Sequence, residues 1–446
     1  MTNNSDAWSV KAGPTKDFFI QMLVKDIPLR DSVVDLVDNC VDGAIRLRGE
    51  GRFDGLWARV EVSPQRLRVA DNCGGIPVDI AREYAFRFGR PEEMGATRHS
   101  IGQFGVGMKR AFFKIGTRFS VESITEGSRF VVEEDVDLWR RHDRWEFRFK
   151  ELEADLQPAP PPDRRGTIVE VSGLHESVAQ QFGLENYLTD LSQQLARAHQ
   201  LSMDRGLSIT FNRIPLQLRR LELLYSAVLK PARRELVFYK DTPSPVHAVL
   251  YSGVGESTPW EAGWYVFCNG RMVLEADQTT TTGWGEKRGQ TIPKFHPQYN
   301  RFRGYAFLDS DDAGLLPWNT TKTGVDTDSP LFRSLRLRMI ILTRPVINFL
   351  NKLKDEKAAA DDERDLTPLE ATLRSAASAS PSEAIAATTF RAPKPDPVPR
   401  PPRTGTISYS KPVEQIRRLK KALRVGSNKA VGEKTFEYFL EMECED

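Results

Sequence analysis

The chain has 446 residues, 63 Lys+Arg against 61 Asp+Glu, and 40 % hydrophobic residues, enough for about three structural units and at least one large core. The net charge of +2 excludes a uniformly basic nucleic-acid binder but leaves room for a local basic patch. No apolar run approaches the ~20 residues of a membrane span, the polar start MTNNSDAWSV lacks a secretory centre, and Cys40, Cys73, Cys268 and Cys444 form no CxxC pair, so a cytoplasmic protein without membrane partner or structural zinc is expected.

The first strongly patterned element is a helix in RDSVVDLVDNCVDGAIRLRG (30–49). At about 100° per residue, Asp35, Asn39 and Asp42 share one face, and Val33, Val37, Val41 and Ala44 the opposite one. The polar face is either solvated or a hard-oxygen site. An Asn carbonyl beside carboxylates suits Mg²⁺, which takes one or two protein ligands plus phosphate oxygens. The strand RLRVAD (66–71) then delivers Asp71 to a Gly pair in NCGGIP. This is a simple turn, or a carboxylate placed to accept from an exocyclic amino group such as that of adenine.

In SIGQFGVGMKRAFFKIG (100–116), Gly102, Gly105 and Gly107 form GxxGxG before a helix expected near Met108. Backbone amides in such a loop and at a helix start bind phosphate. Lys109 either adds positive charge there or is simply exposed. Strand patterns follow at 117–124, 129–135, 144–150 and 166–172, then a helix ending around LSQQLARAHQL (191–201). Beyond a junction near residue 200 come strands at 208–212, 262–274 and 303–309, and a long helix from about 331 to 353. Strands and helices without regular βαβ alternation predict two α+β domains, 1–200 and 201–355. The charged run 354–365 and the Ala/Ser/Pro-rich stretch 370–405 are too poor in large apolar residues to fold, so 356–406 is expected to be a disordered linker. Val413, Ile416, Leu419 and Leu423, then Phe436, Phe439 and Leu440, predict two amphipathic helices in a tail, 407–446.

In this order and spacing the three polar elements resemble the GHKL ATPase superfamily of gyrases, heat-shock chaperones, histidine kinases and MutL. Asp35-Leu36-Val37-Asp38-Asn39 stands in place of the ELxxN box, DNCGG (71–75) of DxGxG, and IGQFGVG (101–107) of GxxGxG. Gly166-Thr167 resembles the later strand whose Thr approaches the nucleotide near the adenine-binding Asp. The resemblance covers about residues 17–175 and has two departures. Asp35 replaces the catalytic Glu, one methylene shorter, and Cys73 replaces the first Gly of DxGxG.

The resemblance implies a Bergerat-type α/β sandwich with ATP and Mg²⁺ as cofactors. Asp35 would be the general base and Asn39 the Mg²⁺ ligand. Asp42, Asp71, Gly75, Ile76, Gly102, Gln103, Phe104, Gly105, Val106, Gly107, Lys109 and Thr167 would surround the nucleotide, under a lid at about 89–107. Residues 201–355 resemble the ribosomal-protein-like α+β transducer domain that follows in gyrase-like and MutL-like members. FCNGRMV (267–273) is similar to its VNxR strand, with Arg271 structural, and in LPWNTTKTGVD (316–326) Lys322 takes the place of the lysine sent to the γ-phosphate.

The implied protein is an ATP·Mg-binding, slowly hydrolysing clamp, dimerising on ATP and acting on a DNA or protein client. It is most similar to stand-alone MORC-like or prokaryotic members. The alternative is a non-hydrolysing ATP-sensing adaptor that recruits a partner through its tail. No His precedes His99, which argues against a self-phosphorylating kinase. Residues 356–446 are too short for a DNA-cleaving, endonuclease or chaperone dimerisation domain.

Overall fold

A computed structural model describes residues 15–25, 27–89, 101, 107–286, 291–359, 367–393 and 407–444. The chain divides into two compact units, 1–396 and 397–446.

In the first unit, α1 (Lys16–Lys25) and α2 (Leu29–Arg48) lead to β1 (Trp57–Val62), β2 (Arg66–Asp71) and the single turn α3 (Val78–Ile80). Then come α4 (Gly107–Ile115), β3 (Gly116–Ile124), β4 (Arg129–Asp135), α5 (Val136–Trp139), β5 (Phe149–Glu153) and β6 (Gly166–Leu174). Helices α6 (Glu176–Phe182), α7 (Glu185–Ala198) and α8 (Gln200–Asp204) precede β7 (Ser208–Phe211) and β8 (Ile214–Pro215). The strands form one sheet in the order β5-β4-β3-β6-β2-β1-β7-β8. Helix α2 packs on β2, α4 and α7, burying Val33, Val37, Val41 and Ala44 with Phe112 of α4 and Phe119 of β3. Asp31 in its first turn and Arg46 and Arg48 in its last complement the helix dipole.

The pattern at 208–212 is β7, paired parallel to β1 with Trp57 opposite Ser208, so the first sheet runs through Pro215 rather than ending at 200. The strand expected at 144–150 is displaced to Phe149–Glu153. It is an edge strand, where burial enforces little register.

The second sheet, β10-β11-β14-β12-β13, follows the short β9 (Leu223–Tyr225) and is built from β10 (Ala232–Phe238), β11 (Val246–Val254), β12 (Gly263–Cys268), β13 (Arg271–Asp277) and β14 (Phe302–Asp309). Helix α9 (Pro330–Ala359) lies against β11 and β14, pinned by Ser252 Oγ donating to Leu342 O at 3.0 Å and Trp264 Nε1 to Thr343 Oγ1 at 3.0 Å.

The linker expectation needs correction. Within 356–406, α10 (Pro368–Ser375) buries Leu369 and Leu373, and β15 (Ala377–Ala379) pairs with β9. Ala387 and Arg391 form bridges with Ala232 and Lys230. A few well-placed apolar side chains and borrowed backbone partners suffice where composition alone argues for disorder. Residues 360–366 and 394–406 lie outside the described residues.

The second unit holds α11 (Val413–Leu423) and α12 (Asn428–Glu443), packed on each other, with Val413, Leu419, Phe436, Phe439 and Leu440 exposed. No described helix is long and apolar enough to cross a membrane.

Candidate functional site

One end of the site is built by strand pairing. Antiparallel β2 and β6 set Ala70 opposite Ile168, which brings Asp71 beside Thr167. Asp71 Oδ1 accepts from Cys73 N at 2.7 Å and Thr167 N at 3.3 Å. The strands meet so closely that a Cβ on Gly166 would lie 1.9 Å from Asp71 O. Gly75 has φ +71, and a Cβ there would lie 2.3 Å from Ile124 O. Neither position accepts a side chain. Ser123 Oγ accepts from Ile76 N at 2.6 Å and lies 3.5 Å from Thr167 Oγ1, tying the Gly turn to β6. Burial raises the Asp71 carboxyl pKa against the opposing pull of the Cys73 amide and the Cys40 thiol. Burial also pushes the Cys40 and Cys73 thiols up, so both are inert neutral groups here. Cys73, in place of a glycine, fills space against α2: a Cβ on Gly43 would lie 2.9 Å from its Cβ.

The other end is built by side chains from distant elements. Asp31, Asp35, Asp38 and Asp42 of α2 are all buried, so of the polar face only Asn39 meets solvent. Asp35, 1 % exposed in its side chain, carries two cations. Arg110 Nη2 lies 2.8 Å from its Oδ2 and Lys322 Nζ 3.5 Å from its Oδ1. Lys322 also donates to Asp38 Oδ2 at 2.9 Å, and Arg271 Nε stands 3.5 Å from Asp38 Oδ1. Lys322 thus spans 284 residues of sequence to reach Asp38. Its backbone has φ +54, a left-handed conformation unusual for a residue with a side chain. The turn is held by Lys322 N donating to Asn319 O at 3.0 Å and Thr323 N to Asn319 Oδ1 at 3.0 Å.

Electrostatics fixes the charge states. Burial by itself would raise the Asp38 carboxyl, but Arg271, Lys322 and His199 outweigh it and hold it below the usual carboxylate range. Burial would lower the Lys322 ammonium, yet Asp38 and Asp35 keep it above its ordinary value. His199 is pushed down to about 3 by burial, more than Asp38 restores. It is therefore neutral, and its 3.7 Å approach to Asp38 is not an ion pair at physiological pH.

Of the residues expected from sequence, Asp35 and Lys322 are brought together, as are Asp71, Gly75, Ile76 and Thr167. Asn39 is exposed, and its Nδ2 donates to Asp35 O at 3.2 Å. That contact orients the amide and leaves Oδ1 as a hard oxygen of the kind that could hold Mg²⁺. Asp42 Oδ1 accepts from Ile101 N at 2.7 Å, so it braces the start of the glycine loop. Gly107 opens α4 against Asp35, where a Cβ would lie 3.5 Å from Oδ2. Lys109 corrects an expectation. It is buried, not exposed, and donates to Ala85 O at 2.9 Å, and burial lowers its pKa to about 7. Gly102, Gln103, Phe104, Gly105 and Val106, and 90–100 of the expected lid, lie outside the described residues. Arg110, Asp38, His199 and Ser123 join the site without a place among the site residues that the sequence suggests. Arg110 alone carried a signal, a guanidinium three positions after the last glycine of the loop.

Residues 28–159 match the family of Histidine kinase-, DNA gyrase B-, and HSP90-like ATPase domains. The chain therefore carries a GHKL-type ATPase domain, followed by a further α+β domain. No curated protein matches the sequence.

Proposed function

We propose that the chain binds ATP with Mg²⁺ and hydrolyses it slowly, as a clamp whose second domain senses the nucleotide. The observation that carries this reading is Lys322, delivered by the second domain to within 2.9 Å of Asp38 and 3.5 Å of Asp35. Asp71 accepts from the adenine amino group. Asn39 Oδ1 would hold Mg²⁺, which would supply positive charge to the phosphates. Asp35 orients a water and takes its proton, while Lys322 stands within reach of charge developing at the terminal phosphate. A γ-phosphate offers Lys322 an anion in place of Asp38, and ADP does not. Such differential affinity is what shifts a domain equilibrium.

ATP then favours a closed homodimer, and the client, DNA or a protein as in MORC-like or prokaryotic relatives, is engaged through closure or through 407–446. Sedimentation with a non-hydrolysable ATP analogue, with ADP and with neither tests the reading; mass and shape alike in all three would sink the clamp. Capture on an Asp35→Asn variant loaded with ATP, with and without nuclease, separates a DNA client from a protein one.

A second reading, the non-hydrolysing ATP-sensing adaptor, is favoured by the 2.8 Å pairing of Asp35 with Arg110 on a carboxylate already one methylene short. Single-turnover hydrolysis at background in the wild type would select it.

A further inference from the structure

The guanidinium of Arg110 makes two contacts through one nitrogen. Nη2 lies 2.8 Å from Asp35 Oδ2 and donates at 3.3 Å to Thr320 O, two residues before Lys322. The first contact is within the N-terminal domain; the second crosses 210 residues of sequence to the loop of the second domain. The two oxygens of Asp35 are thereby divided, Oδ2 to Arg110 and Oδ1 to Lys322. Arg110 Nε is buried with no hydrogen-bond partner, so the side chain is not placed to satisfy itself. A buried ion pair is weak evidence for stability, because desolvation offsets most of the attraction. Arg in particular suits one group serving two acceptors, since its planar fork holds several donors in fixed geometry.

We propose that Arg110 is a positioning residue for the hydrolysis read above. It aims the Asp35 carboxylate and, through Thr320 O, holds the loop that presents Lys322, so that base and lysine move as one unit. The inference rests on Asp35 being the base, and it adds a residue that acts through Asp35 and the loop of Lys322. Loss of this hold leaves ATP bound by Asp71 and its neighbours but misaligns the reacting end. A misplacement of about 1 Å costs on the order of 100-fold in rate.

The test uses the full chain. Arg110→Gln should lower kcat about 100-fold with KM for ATP changed by less than about threefold. In nucleotide-free protein, the amides of Lys322 and Thr323 should exchange hydrogen faster than in wild type. Arg110→Lys keeps the charge beside Asp35 but not the reach to Thr320 O, and should recover only part of kcat while the loop amides still exchange fast. Normal kcat in Arg110→Gln overturns the proposal. So does a joint collapse of kcat, KM and thermal midpoint, or Arg110→Lys behaving as Arg110→Gln does. If the wild type shows no turnover, the base assignment fails instead. Loop exchange then decides alone: faster exchange in Arg110→Gln supports the hold of Arg110 on the loop, and unchanged exchange overturns it.

Discussion

The two ends of the site are made by different physics. At the Asp71 end, the contacts lie within the first domain and are mostly to backbone: Cys73 N, Thr167 N, and the near collision of Gly166 with Asp71 O, with the Cys40 thiol of α2 beside them. That geometry follows from sheet pairing within the first domain and does not require the second. At the Asp35 end, the partners come from α2, α4, β13 and the loop before α9. Those charges compensate one another only while the two domains are packed. An end made mostly of backbone contacts is rigid and local. An end made of paired charges is conditional on tertiary structure and therefore open to control by it.

The sharpest break of this comparison is Asp35→Ala. Loss of a general base costs about 10²–10⁴-fold in rate, while ATP affinity by calorimetry stays near wild type. Normal turnover would move the base to Asp38 or Asp42. Lys322→Ala, at the same end, should hydrolyse about 100-fold more slowly and fail to close in sedimentation, again with ATP bound. Closure that persists in this variant keeps the clamp and discards the lysine as its trigger.

The opposite profile is expected at the other end. Asp71→Asn puts a donor where the adenine amino group also donates. ATP affinity should fall about tenfold to 100-fold, the cost of a lost charged hydrogen bond, and selectivity for adenine over guanine nucleotides should weaken. If Asp35→Ala lost ATP affinity as Asp71→Asn does, the two ends would not be separable.

Smaller effects come from pH. Burial opposes ionisation of Asp38, but Arg271, Lys322 and His199 carry its pKa below the unfolded value. Its contribution is thus complete above about pH 4 and is lost as pH falls through the lower folded value. Lys322 has the reverse sign. Its pKa is raised, so its contribution holds below about pH 10 and disappears as pH rises through the folded value. Chemical denaturation from pH 5 to pH 2 should therefore narrow the stability gap between wild type and Asp38→Asn, and a constant gap would count against the paired state. The smallest effect is expected from deleting 407–446, which should leave ATPase activity unchanged while abolishing partner capture; equal capture by the truncated chain refutes the docking role.

The class of domain was legible in the sequence, through the resemblance of three short motifs to a known family. The spacing from Asp35 to Asn39, the Gly turn after Asp71 and Gly166-Thr167 are local patterns, and local patterns dictate helix faces, turns and strand starts. The sequence also offered Lys322 as a candidate, through a loop that resembles the family's lysine loop. It did not show that Lys109 turns inward to Ala85 while Arg110 turns to Asp35. Adjacent helical residues point about 100° apart, and only the packing of α4 on α2 decides which faces the site. Nor did it show 377–379 pairing with β9, or SITFN joining the first sheet beside β1. Strand partners are chosen by whichever open edge the folded chain brings within hydrogen-bonding distance. The buried charges of α2 follow the same rule: a carboxylate reads as solvated until the cations that neutralise it arrive from 75 and 284 residues away.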